Sequence, residues 1–131
     1  MNVASKDIKD LLVAESALDF TFGTNLFIGK EPSTPINCVT IFDGVSSPPM
    51  LTFTKGENYY YDAVQIRIRN VNYNTAYATA NLIMTTLHGI GQETVNGTLY
   101  SVIRCVSGPV PLGWDDNGRI IFITNFEIQR R

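Results

Sequence analysis

Apolar positions recur along the chain at two different periods. At 6–18 they follow helical spacing: Ala4, Ile8, Leu11, Leu12 and Leu18 share one face, Lys6, Lys9 and Asp10 lie on the other, and Ser5 is placed as an N-cap. A second helical stripe, Ala76, Ala80, Ile83 and Leu87, predicts a helix over 74–88 with Asn74, Asn81 and Thr85 on its opposite side and Gly89 as its left-handed stop. Elsewhere the period is two. Val64, Ile66 and Ile68 alternate with Gln65, Arg67 and Arg69 over 62–70, a strand with one face in a core and the other wet or at an interface. Further strands are predicted at 26–28, 36–42, 98–106 and 119–129, with a short edge strand at 50–54. Prolines make loops of 30–35 and 46–49, and Asp116-Asn117-Gly118 is a tight-turn signal between the last two strands. The order predicts an α+β fold, two helices packed on a mainly antiparallel β-sheet.

Length and composition narrow the class. The 131 residues suit one domain, 1–131, and 44% apolar content excludes wholesale disorder. No apolar run reaches the ~20 residues a spanning helix needs, and the charged first ten residues lack a secretory pattern. The expectation is a soluble protein made in a cytoplasm, with no membrane partner. Net charge is −2 and basic residues do not cluster, which argues against a dedicated nucleic-acid binder, whose affinity comes from Lys and Arg on phosphates. Charged residues are only 17% of the chain. None occurs from Asn70 to Gln92, and only Asp43 from Pro32 to Thr54. Such stretches are read either as a neutral Asn/Thr-rich surface or as surface that other proteins cover.

Little in the chain carries chemistry. The lone His88 ends a helix, where it favours the dipole or faces a neighbour, and no triad is legible around it. Cys38 and Cys105 are far apart in apolar strands without the spacing of a metal site, and are expected as free thiols. Asp115 and Asp116 precede a turn and are read as turn chemistry. Asn96-Gly97-Thr98 reads as a turn. Tyr59-Tyr60-Tyr61, flanked by Glu57 and Asp62 with only Lys55 basic nearby, reads as the aromatic start of a strand rather than a base-stacking platform. Arg67 and Arg69 are either a solvated face or partners of acids on another subunit. No catalytic, cofactor or metal site is assigned.

The order of several short motifs carries a resemblance. Asn25-Leu26-Phe27-Ile28-Gly29-Lys30-Glu31-Pro32, then Pro35, Val39-Thr40-Ile41-Phe42-Asp43 and Ser47-Pro48-Pro49, resemble minor capsid proteins of long-tailed phages, in the tail terminator or tail completion family. Val64-Gln65-Ile66-Arg67-Ile68-Arg69 with Tyr73 and the helix near Ala76 continue the match. So does Gly108-Pro109-Val110-Pro111-Leu112-Gly113-Trp114-Asp115, leading through Gly118-Arg119 to Asn125-Phe126-Glu127-Ile128-Gln129-Arg130. Asn70 departs from it, since related sequences often carry glycine there.

The resemblance implies a structural virion protein, an α/β sandwich that assembles as a homo-hexameric ring. That ring caps the tail tube, stops its polymerisation and joins the tail to the connector or stopper of the DNA-filled head. It also implies that DNA passes through the lumen without sequence-specific binding, in keeping with a mildly acidic chain. The strands at 62–70 and 119–129 are the expected ring-building surfaces, with Arg67, Arg69, Arg130 and Arg131 as charge partners and Asn81 and Thr85 as a helix-face contact. Rival readings are another neck component, an adaptor or stopper, and a small enzyme or ligand-binding α/β domain.

Overall fold

A computed structural model describes residues 1–54, 56 and 58–131. Lys55 and Glu57, which flank the tyrosines in sequence, lie outside the described residues. Two helices, α1 (Ala4–Ala14) and α2 (Tyr73–Leu87), lie against a sheet of strands β1 (Leu26–Ile28), β2 (Cys38–Asp43), β3 (Met50–Leu51), β4 (Asn58–Asn70), β5 (Gly91–Val95), β6 (Thr98–Trp114) and β7 (Ile120–Arg130). The sheet runs β1-β2-β4-β7-β6-β5, with β3 pairing β4 off this path. Among the named strands of the described residues β1 and β2 pair in parallel and the other pairings are antiparallel; a lone parallel bridge joins Phe22 to Leu26. The fold is therefore the expected α+β arrangement.

Both helices pack on one face of the sheet, because alternation presents an apolar row from each central strand. Val64, Ile66 and Ile68 of β4 and Ile120, Phe122, Phe126 and Ile128 of β7 meet Ile8 and Leu12 of α1 and Ala76, Ala80, Ile83 and Leu87 of α2 in one core. The α2 stripe is buried throughout, as its spacing predicts. Asn72 caps that helix by accepting from the Thr75 N–H.

Three predictions need correction. The first helix starts earlier and ends at Ala14, and Ser5 is not its cap: it lies inside the first turn, buried, with its N–H and hydroxyl both donating to the Asp43 carboxylate, at 3.0 and 2.6 Å. A strand was missing between α2 and β6. β5 is an edge strand joined to β6 by Asn96-Gly97, both in the left-handed region (φ 50° and 81°), the conformation a two-residue hairpin turn requires. Finally, β6 does not stop at 106 but continues to Trp114 through Pro109 and Pro111, with repeated register shifts against β7. β5 pairs with β6 no further than Val102, and Gly89, Ile90 and His88 take the backbone groups of Ile103 and Cys105 just past it. Pro109 and Pro111 lie beyond those contacts, where that side of the strand tolerates proline.

Candidate functional site

The sheet face away from the helices holds the alternate residues of the same strands. Register places Thr40, Arg67 and Ile123 side by side, and likewise Phe42, Gln65 and Asn125. Gln65 donates to the Asn125 side chain at 3.1 Å across the two strands. At one end the loop after β1 folds over this face. Glu31 lies 3.5 Å from Arg67 and 3.6 Å from Arg69.

Arg69 is 4% exposed, and its guanidinium donates to the carbonyls of Pro32 and Pro35, both at 2.7 Å, and of Ile36 at 3.0 Å. The fork geometry of guanidinium suits this use: one side chain collects three loop carbonyls that would otherwise lose water without a partner. Arg69 is thus a pin for the loop of its own chain, while half-buried Arg67 remains beside Glu31 at the surface of this face. At the same end Arg119 donates to Asp115 at 2.6 Å and to the Ser33 carbonyl. Burial works against the Asp115 charge, but hydrogen bonds from Arg119 and Asn117 outweigh it and lower the pKa. The pair closes the Asp116-Asn117-Gly118 turn, as turn chemistry requires.

Arg130 is likewise an internal residue. β7 alternates so that its even positions face the helices, and Arg130 follows Phe126 and Ile128 into the interior at 5% exposure. There its Nε donates to Asp62 at 2.6 Å and its Nη1 to the Asn2 carbonyl at 2.8 Å and the Tyr100 hydroxyl at 3.2 Å. Asp7, fully buried on the inner side of α1, accepts from Tyr100 at 2.5 Å, from Asn96 at 2.8 Å and from Asn2 at 3.2 Å. Burial pulls the Arg130 pKa down, but Asp62 and Tyr100 more than offset it. Burial, then the hydrogen bond to Asp7, pushes the Tyr100 hydroxyl far above its usual value. This network ties α1, β4, β6 and β7 together, and local sequence gave no sign of it: Asp7 and Arg130 are ordinary charges until the fold brings them together.

The other anticipated residues stay on the surface. Arg131 is exposed, with its guanidinium 5.5 Å from the Tyr59 ring centre. Asn81 and Thr85 are exposed on α2, Thr85 donating back to the Asn81 carbonyl. They extend a row that sequence reading did not single out: Tyr73, Tyr77, Asn81 and Thr85 follow one another at four-residue spacing, all exposed. Tyr73 lies 6.4 Å from Trp114 and 5.1 Å from Phe122, and Tyr77 6.0 Å from Phe122, ring centre to ring centre. The result is an aromatic shelf on buried Phe122. The i, i+4 pair Tyr73 and Tyr77 was the available signal; Trp114 joins it only through the register of β6 and β7.

His88 faces a neighbour, its Nδ1 accepting from the Cys105 N–H at 2.9 Å. Both cysteines are free, and burial pushes the Cys38 thiol up. Among the described residues no group of three or more His, Cys, Asp or Glu is placed to hold a metal, and no helix is long and apolar enough to cross a membrane. The arrangement leaves apolar and uncharged side chains exposed, among them Phe53, Leu51, Tyr73, Tyr77 and Trp114.

The family model described as Bacteriophage tail terminator protein matches residues 9–131. The chain belongs to the bacteriophage tail terminator family. It is a structural component of the phage tail. Among solved structures, a chain from the virion of a native gene transfer agent particle shares the fold with a TM-score of 0.69 at 13% identity, covering 98% of this chain and 94% of that one. A second solved chain matches with a TM-score of 0.53 at 12% identity, covering 96% of each. No curated protein matches the sequence.

Proposed function

We propose that this tail terminator forms a hexameric ring on the head-proximal end of the tail tube, stops tube growth and joins the tail to the head connector. The family match over residues 9–131 carries this reading. Physical chemistry supports it. Tube subunits that add head to tail leave the same sticky end after every addition, so growth stops only when something docks on that end without reproducing it. A ring subunit with one tube-like face and one different face does so without catalysis, and we read the protein as non-enzymatic. Its partners are then the tube protein, the connector or stopper, and further copies of itself. DNA passes through the lumen unread, which a chain of net charge −2 favours by not holding phosphates.

Contacts between subunits fall to groups that the fold leaves at the surface: the α2 row with Asn81 and Thr85, Arg131 beside Tyr59, and half-buried Arg67 beside Glu31. Arg69 and Arg130 support these surfaces from within. A phage lacking the protein tests the reading. DNA-filled heads and separate tails, some over-long, that never join are the expected outcome. Heads that leak their DNA beside tails of normal length would instead indicate a stopper, and normal virions would contradict a structural role altogether.

A further inference from the structure

The chain carries two exposed apolar features at opposite ends of β4. The first is an arm. After β2 ends, the chain follows β4: the Gly44 N–H donates to the Ala63 carbonyl at 2.7 Å, so close that a Cβ on Gly44 would press on Ala63 at 3.3 Å. It then forms the hairpin in which Met50 pairs with Tyr59 and Leu51 with Asn58. β7 pairs with β4 only from Tyr60 onward, so this hairpin extends past the end of the main sheet. Phe53 is fully exposed and Leu51 80% exposed, with Val45 and Met50 also in solvent. The second is the shelf of Tyr73, Tyr77 and Trp114, which are 45%, 50% and 58% exposed. It sits where β4 ends, because Asn70 pairs with Ile120, whose other partner is Trp114. Thirteen residues of β4 separate the two features, about 40 Å at strand rise.

We infer that the arm of one copy docks on the aromatic shelf of the next, so that the subunits join head to tail. This rests on the ring reading and names the surfaces that would build it. Three observations select a second copy as the occupant. The exposed apolar side chains of the arm, and those of the shelf apart from Trp114, come from the two charge-poor stretches of the chain, 32–54 and 70–92. The apolar side chains that meet therefore carry no charge, with Lys55 and Glu57 following them in the arm's sequence. They are different surfaces at opposite ends, which makes the contact heterologous, the kind that closes into rings. The shelf also runs on along α2 into the uncharged Asn81 and Thr85, which lengthens the receiving surface. Taking ~150–250 Å² per fully buried aromatic, the arm and the half-exposed shelf offer together roughly 800 Å² of apolar surface, near the ~1,000 Å² lower bound of specific interfaces. One such contact is weak; a closed ring gives every subunit two.

Cysteine cross-linking on purified tails lacking the native protein tests this. Phe53→Cys and Trp114→Cys in the same chain, mildly oxidised, should give a covalent ladder that ends at a closed hexamer, above the baseline of wild type with its native Cys38 and Cys105. A mixture of the two single variants should stop at heterodimers. Dimers from Phe53→Cys alone at the level of the mixture, or cross-links from it only to tube protein, would overturn the proposal. Absence of the ladder overturns it as well; six-fold rings still visible on those tails would leave the ring reading standing. A ladder that never closes at six supports the docking and removes the hexamer.

Discussion

The Tyr100 hydroxyl donates to Asp7 at 2.5 Å inside the molecule, joining the first helix to a strand 93 positions later. Arg130 lies beside both, 3.8 Å from Asp7 and 3.2 Å from the Tyr100 hydroxyl, with Asp62 on its far side. A charge sealed in this way is held by its partners, and removing one of them costs more than the pair contributes.

Asp7→Ala is therefore expected to lower stability by about 3 kcal/mol, because the Tyr100 hydroxyl loses its acceptor and Arg130 one of two anions. Tyr100→Phe, which keeps the ring, should cost about 1–2 kcal/mol. Urea unfolding at unchanged slope measures both. An Asp7→Ala protein as stable as wild type would mean that the network contributes nothing.

The same pair sets an alkaline limit. An unfolded tyrosine ionises near pH 10.0, whereas burial and Asp7 keep Tyr100 protonated well above that. Above pH 10.0 the unfolded chain thus binds fewer protons than the native one, so stability that is fully present below this pH declines as pH rises through it. The urea midpoint should fall on that side, and Tyr100→Phe should fall less steeply. Equal slopes in the two proteins would assign the decline to other groups.

Arg69 pins the loop that crosses the open sheet face. Arg69→Ala should destabilise by about 3 kcal/mol and expose 31–36 to proteolysis, and Arg69→Lys should recover little of this, since an ammonium cannot reproduce the fork. Full recovery by lysine would show that only charge matters there.

On α2 the two faces should separate cleanly. Ile83→Asp or Leu87→Asp buries a carboxylate in the core and should unfold the protein, at a cost of several kcal/mol. Asn81→Glu and Thr85→Glu should leave circular dichroism and melting unchanged while preventing assembly on tails. Normal assembly by both Glu variants would make that row merely solvated.

Much of this was legible locally. The α2 stripe, the alternation of β4 and the Asn117-Gly118 turn each depend on neighbours in sequence, and each lies where its period places it. β5 left no such trace: only Val95 of Gly91–Val95 is buried, and Gln92 has φ 53°, so no alternation was there to read. β6 hid behind Pro109 and Pro111, which count against a strand until one sees that the strand has no described neighbour on one side there. The site divided in the same way. Asn81, Thr85 and Arg131 stand exposed, as a helical wheel or a strand end suggests. Arg69 and Arg130 looked like surface charges, since what buries them is a loop more than thirty residues away in sequence and the helix at the other end of the chain. Ser5 resembled a cap for want of knowing Asp43.

Cryo-electron microscopy of purified tails bearing this protein bears most directly on the central claim. The expected image is one hexameric ring at the head-proximal end of the tube and none along its length. Copies along the tube, density only at the distal end, or a cap of another symmetry would contradict it.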